Sequence, residues 1–61
     1  MILLRELIEV LPEDKEVLYI DTRDDHEKRL SFEDAMNEFE DSNATVEMID
    51  HTAEMLIIYY V

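Results

Sequence analysis

The chain has no glycine, no cysteine and no tryptophan, one proline, and only five basic residues against seventeen acids. Phosphate-cradling loops of the P-loop and dinucleotide-binding kinds need glycine, whose backbone takes positive φ and comes close to an anion, so both are excluded. Without cysteine there is no disulfide framework, no thiolate zinc site and no thiol nucleophile, and stability must come from packing or from a partner. Long apolar runs are missing as well. The longest is Met55 to Val61, far short of the roughly 20 residues that span a bilayer. Arg5 and Glu6 interrupt the apolar opening after Ile2, Leu3 and Leu4, which is not the pattern of a secretory leader. The expectation is a cytoplasmic protein with no membrane partner.

Apolar residues make up 48% of the 61 positions, enough for a core and too many for an acidic disordered tail. A chain of this length forms one domain. Leu4, Leu7, Ile8 and Leu11 fall at i, i+3, i+4 and i+7, predicting an amphipathic helix that stops about where Pro12 cannot continue the ladder. Val17-Leu18-Tyr19-Ile20 suits a strand over 16–22. Asp24 to Glu27 reads as a polar hairpin tip, with a short return strand at Lys28 to Leu30 on the sheet edge. Ser31 can cap a second helix starting near Phe32, since its hydroxyl accepts from the orphan amides two or three positions on. Phe32, Ala35, Met36 and Phe39 supply that helix with an apolar stripe. Asn43 suits the left-handed conformation at its exit. A third strand, 45–49, a turn at 50–53 and a last strand, 54–61, complete the order α-β-β-α-β-β. The expected fold is a single α+β domain in which an antiparallel sheet of three or four strands packs against two helices.

The last strand is apolar on both faces: Met55, Ile57, Tyr59 and Val61 alternate with Leu56, Ile58 and Tyr60. Two short helices cover one face of such a sheet, leaving apolar surface that includes Tyr59, Tyr60 or both for a homodimer or another partner. Helices that straddle the sheet, or tyrosines half-wet at an edge, account for the same pattern without a partner.

Charge is distributed unevenly. All five bases lie within the first 29 residues, and from Leu30 onward there are eight acids and no Lys or Arg. On the second helix Asp34, Glu38 and Asp41 follow i, i+4 and i+7, flanked by Glu33 and Glu40. Like charges at that spacing repel, and Glu38, Glu40 and Asp41 also oppose the negative end of the helix dipole, so local stability argues against the arrangement. A row of carboxylates on a rigid element imitates a nucleic-acid backbone and suits the cationic groove of a protein that binds phosphates. The plainer account is a solvated face that keeps a small protein in solution. Glu33, Asp34, Glu38, Glu40 and Asp41 are the candidate partner-binding residues, with Glu47, Asp50 and Glu54 joining them if the last hairpin lies alongside. Direct nucleic-acid binding is excluded by the net charge of −12 and the lack of a basic stripe.

Catalysis finds little support. Asp21, Asp24, Asp25, His26 and Glu27 are the sole cluster of metal-ligand types, and they lack the glycine and the twelfth-position Glu of a calcium loop. His26 and His51 read as exposed turn histidines, Ser31 as a cap and Ser42 as a turn residue. A domain of this size seldom has room for a cleft that buries a substrate. The expectation is a non-enzyme without metal or cofactor.

The opening Leu3-Leu4-Arg5-Glu6-Leu7-Ile8 with Leu11-Pro12, the strand Val17-Leu18-Tyr19-Ile20, the acidic second helix and the final apolar hairpin resemble the small uncharacterised proteins of Gram-positive phages and prophages. That resemblance implies an accessory phage protein acting in the host cytosol. Acidic members of the group include anti-CRISPR proteins and other DNA mimics, so it implies an inhibitor of a basic nucleic-acid-binding protein. It carries over no functional residue.

Overall fold

The computed structural model describes residues 1–61. Its elements follow the expected order: α1 (Leu4–Ile8), β1 (Val17–Asp21), β2 (His26–Leu30), α2 (Phe32–Phe39), β3 (Val46–His51) and β4 (Leu56–Tyr60). The four strands form one sheet in the order β2-β1-β4-β3. β1 pairs antiparallel with β2, and β3 antiparallel with β4. The two hairpins meet along β1 and β4, which run parallel. The sheet is therefore mixed, where the sequence pattern suggested a purely antiparallel one. The cause is α2, which carries the chain back to the level where β2 began. β3 consequently runs the same way as β2, and β4 the same way as β1.

Both helices pack on one face. Leu4 and Ile8 from α1 and Ala35 and Phe39 from α2 close over Val17, Tyr19, Ile58 and Tyr60, forming a core of eight buried residues. Phe39 lies between two tyrosine rings, 5.5 Å from Tyr19 and 5.2 Å from Tyr60 between centroids. Leu7, Leu11, Phe32 and Met36 are half-buried around this centre. No buried side-chain nitrogen or oxygen lacks a hydrogen-bond partner.

The helix stripes are placed as their spacing required, while several boundaries shift. α1 ends at Ile8, because the amides of Val10 and Leu11 bond three residues back, to Leu7 and Ile8, tightening the chain into a turn before Pro12. Ser31 caps α2, its hydroxyl accepting from the Asp34 amide at 3.1 Å. Asn43 does not take the left-handed conformation expected of it. The single positive φ belongs to Asp25, at 57°, in the β1–β2 turn, where Asp24 Oδ1 accepts from the His26 amide at 3.1 Å and a short polar residue tolerates that backbone. α2 instead leaves through Ser42, whose amide bonds to the Phe39 carbonyl and whose hydroxyl accepts from the Ala44 amide.

β3 extends to His51, two residues past its expected end. Thr52 sets the following turn, with its amide bonded to the Met55 carbonyl at 2.8 Å and its hydroxyl accepting from the amides of Glu54 and Met55. The N-terminus is stitched to the same region: Leu4 donates to the Ala44 carbonyl and Val46 to the Ile2 carbonyl, each at 2.9 Å. No helix is long and apolar enough to cross a membrane.

Candidate acidic interaction surface

Helical geometry divides the α2 carboxylates into three rows. With Phe32, Ala35, Met36 and Phe39 turned inward, 100° per residue puts Asp34 and Asn37 on the outermost crest, with Asp41 exposed in the turn that follows the helix. Glu33 and Glu40 fall on the flank toward α1, and Glu38 on the flank toward β2. Neighbouring side chains agree with this placement. Glu38 forms an ion pair with Lys28 of β2. Glu40 lies with Met36 and Phe39 in a groove of about 150 Å³ between the helices, opposite Arg5, Glu6 and Glu9 of the first segment.

Glu6 and Glu9 thus join Glu33, Asp34, Glu40 and Asp41 on the helical side, and all six are exposed. Charge counting along the sequence does not point to Glu6 and Glu9, because the first 29 residues hold all five bases and so have the smaller net charge. Their spacing held the signal: in an amphipathic helix whose buried positions are Leu4 and Ile8, Glu6 and Glu9 turn outward. The groove's one base, Arg5, donates to the Ser42 carbonyl at 3.0 Å.

The other acids named from the sequence do not extend this surface. Glu38 is exposed but neutralised by Lys28, and the carboxylate holds the lysine pKa above its usual value. Glu47 sits in the irregularity between Val46 and Met48 on the edge strand β3. Asp50 pairs across from Ile57, on the sheet face away from the helices. Glu54 occupies the turn joining β3 to β4. The eight-residue set separates into a group of five on or beside α2, Glu47 at the sheet edge, Asp50 on the opposite face and Glu54 in a turn. The two tyrosines part company as well: Tyr60 is 5% exposed and belongs to the core, so it offers no docking surface, whereas Tyr59 lies half-exposed on the far face.

The bases are largely committed within the molecule. Arg23 grips Asp21 through Nε and Nη2, at 3.0 and 2.8 Å, and that hydrogen bonding pulls the Asp21 pKa down to about 2. Asp21 and Glu38 are the two acids in ion pairs. Glu6, Glu9, Glu33, Asp34, Glu40 and Asp41 form no ion pair, with Arg5 the one base in the groove beside Glu6, Glu9 and Glu40.

No three His, Asp or Glu side chains are grouped as a bound cation would need. Among the candidate ligands, Asp21 is held by Arg23 and Asp24 by the His26 amide. Burial raises the pKa of two tyrosines, Tyr19 to about 12 and Tyr60 above its usual value; both are core residues. No protein-family model matches the chain, and no curated protein or solved structure shows significant similarity to it.

Proposed function

We propose that the protein is a non-catalytic binding module whose helical layer presents carboxylates to the cationic groove of a nucleic-acid-binding protein, occupying it in place of a phosphate backbone. The observation that carries this reading is that Glu6, Glu9, Glu33, Asp34, Glu40 and Asp41 form no ion pair, in a molecule whose ion pairs engage only Asp21 and Glu38, and that the single base among them, Arg5, donates to the Ser42 carbonyl. The one like-charge pair at i, i+4 on α2, Asp34 with Glu38, is offset by Lys28, and the cost that remains is that of Glu40 and Asp41 opposing the negative end of the helix dipole. A cationic partner would relieve it.

The layer also has the rigidity that a decoy requires. α2 is capped at Ser31 and pinned by Ala35 and Phe39 in the core, so the backbone positions that carry its carboxylates are held in fixed relation before binding. Association then needs no ordering of the helix backbone, only of the side chains. Occupation of such a groove would exclude nucleic acid from it, giving an inhibitor or regulator.

Affinity capture from a bacterial lysate tests the proposal, with the full chain as bait and duplex DNA as competitor. The expected result is retention of basic nucleic-acid-binding proteins that DNA displaces and raised salt releases. A bait carrying Glu33→Lys, Asp34→Lys, Glu40→Lys and Asp41→Lys is expected to retain none of them. Capture that is indifferent to DNA, to salt and to these substitutions would contradict the reading.

A further inference from the structure

The face of the sheet opposite the helices has no cover, and its strand register arranges the side chains in two rows. One row reads Arg29, Leu18, Ile57 and Asp50 from β2 to β3; the next reads Glu27, Ile20, Tyr59 and Met48. Each row places two half-exposed residues, apolar apart from the Tyr59 hydroxyl, on the central strands β1 and β4. At the edges stand exposed Arg29 and Glu27 on β2, and exposed Asp50 and Met48 on β3. With one base against two acids, this face is close to neutral in a molecule of net charge −12.

We infer that this face is a self-complementary surface on which a second copy of the chain docks. A two-fold axis parallel to the strands, lying between two stacked sheets, sets β2 of one copy over β3 of the other. Arg29 then meets the partner's Asp50, Leu18 meets the partner's Ile57, and Ile20 meets the partner's Tyr59. Glu27 falls against the partner's Met48, so no like charges are opposed. A two-fold axis across the strands sets β2 over β2, and Arg29 meets the partner's Glu27. In both stacks an apolar centre is bounded by two symmetric pairs of opposite charge, the pattern of an isologous interface. The inference stands on the sheet register and is independent of the acidic layer, which would point outward on both sides of the dimer.

The size of the face sets the strength of association. Four strands of about 4.8 Å spacing, each near five residues at about 3.3 Å, give roughly 300 Å² in projection. Tight complexes bury about 800 Å² per partner. The dimer is therefore expected to be in reversible exchange with monomer.

Sedimentation equilibrium on the full chain at about 0.15 M salt, where screening length is about 8 Å, tests this. The mean mass is expected to rise from monomer toward dimer between about 10 µM and about 1 mM protein. Arg29→Glu and Met48→Glu, both at exposed edge positions where the fold tolerates change, should each weaken the dimer at least about fivefold. Circular dichroism checks that the fold persists. Adding Asp50→Arg to Arg29→Glu restores association for the axis along the strands, and adding Glu27→Arg restores it for the axis across them; either rescue supports the inference. A monomer over the whole range would overturn it, as would a dimer that neither single substitution weakens.

Discussion

Phe39 is the residue on which most of the packing converges, since its ring touches both tyrosines that join α2 to the sheet. Phe39→Ala is expected to cost about 3–5 kcal/mol, as much as the roughly 3–5 kcal/mol that a core of this size supplies. The variant should therefore be unfolded at room temperature, as read by circular dichroism. Tyr19 gives a pH prediction. Burial holds its hydroxyl protonated up to about 12, against 10.0 for a free tyrosine. The unfolded chain gives up that proton first, so the contribution to stability is complete below pH 10 and is lost as pH rises toward 12. Urea titrations along an alkaline series should show stability falling across that window, and Tyr19→Phe should flatten the fall. The helical half of the core was readable in the sequence at this scale, because Leu4, Ile8, Ala35 and Phe39 sit at helical spacing, whereas the choice of Val17 and Tyr19 over Leu18 and Ile20 was not. Nor was the difference between Tyr59 and Tyr60. A strand apolar on both faces does not say which face the helices will cover.

At the scale of elements, α2 brings a cap and a conflict together. Ser31→Ala removes the hydroxyl that accepts from the Asp34 amide and should cost about 1 kcal/mol, measurable by urea denaturation. Asp41→Lys, just past the last turn, replaces an acid that opposes the helix dipole with a charge that favours it. It should raise stability by about 0.3–1 kcal/mol while weakening capture of the proposed cationic partner. A substitution that stabilises the fold and damages binding would separate a working surface from a merely solvated one. The starts of the elements were legible where side-chain chemistry is local, as at Ser31 and Pro12. Sheet polarity was not legible, because the register of β1 against β4 is fixed by where α2 returns the chain, a long-range outcome with no local signature. The end of β3 was misjudged for a related reason. Thr52 supplies its turn through hydroxyl bonds to Glu54 and Met55, and Asp50 and His51 were mistaken for turn residues when they are edge-strand residues. The two edges are protected differently. β2 is studded with Glu27, Lys28 and Arg29, and β3 carries an irregularity at Glu47 and is bridged at its start by Leu3 and Thr45.

For the molecule as a whole, the net charge of −12 opposes compaction, and raised salt should increase the thermal midpoint by screening that repulsion. The same salt should weaken binding to a cationic partner. These opposite responses distinguish electrostatic docking from docking through the sheet face. Charge asymmetry between the halves of the chain pointed to α2 but overstated the patch. Folding sends Glu47, Asp50 and Glu54 to an edge, the opposite face and a turn, and brings in Glu6 and Glu9 from the half with the smaller net charge. The resulting molecule has an acidic helical side and a nearly neutral sheet side. The most direct test of this division is amide chemical-shift mapping on the labelled full chain, titrated with a basic nucleic-acid-binding protein that it captures. The account predicts perturbations concentrated on Glu6, Glu9 and 33–41, with Leu18, Ile20, Ile57 and Tyr59 unaffected. Perturbations centred on those four sheet residues, with α2 silent, would contradict it.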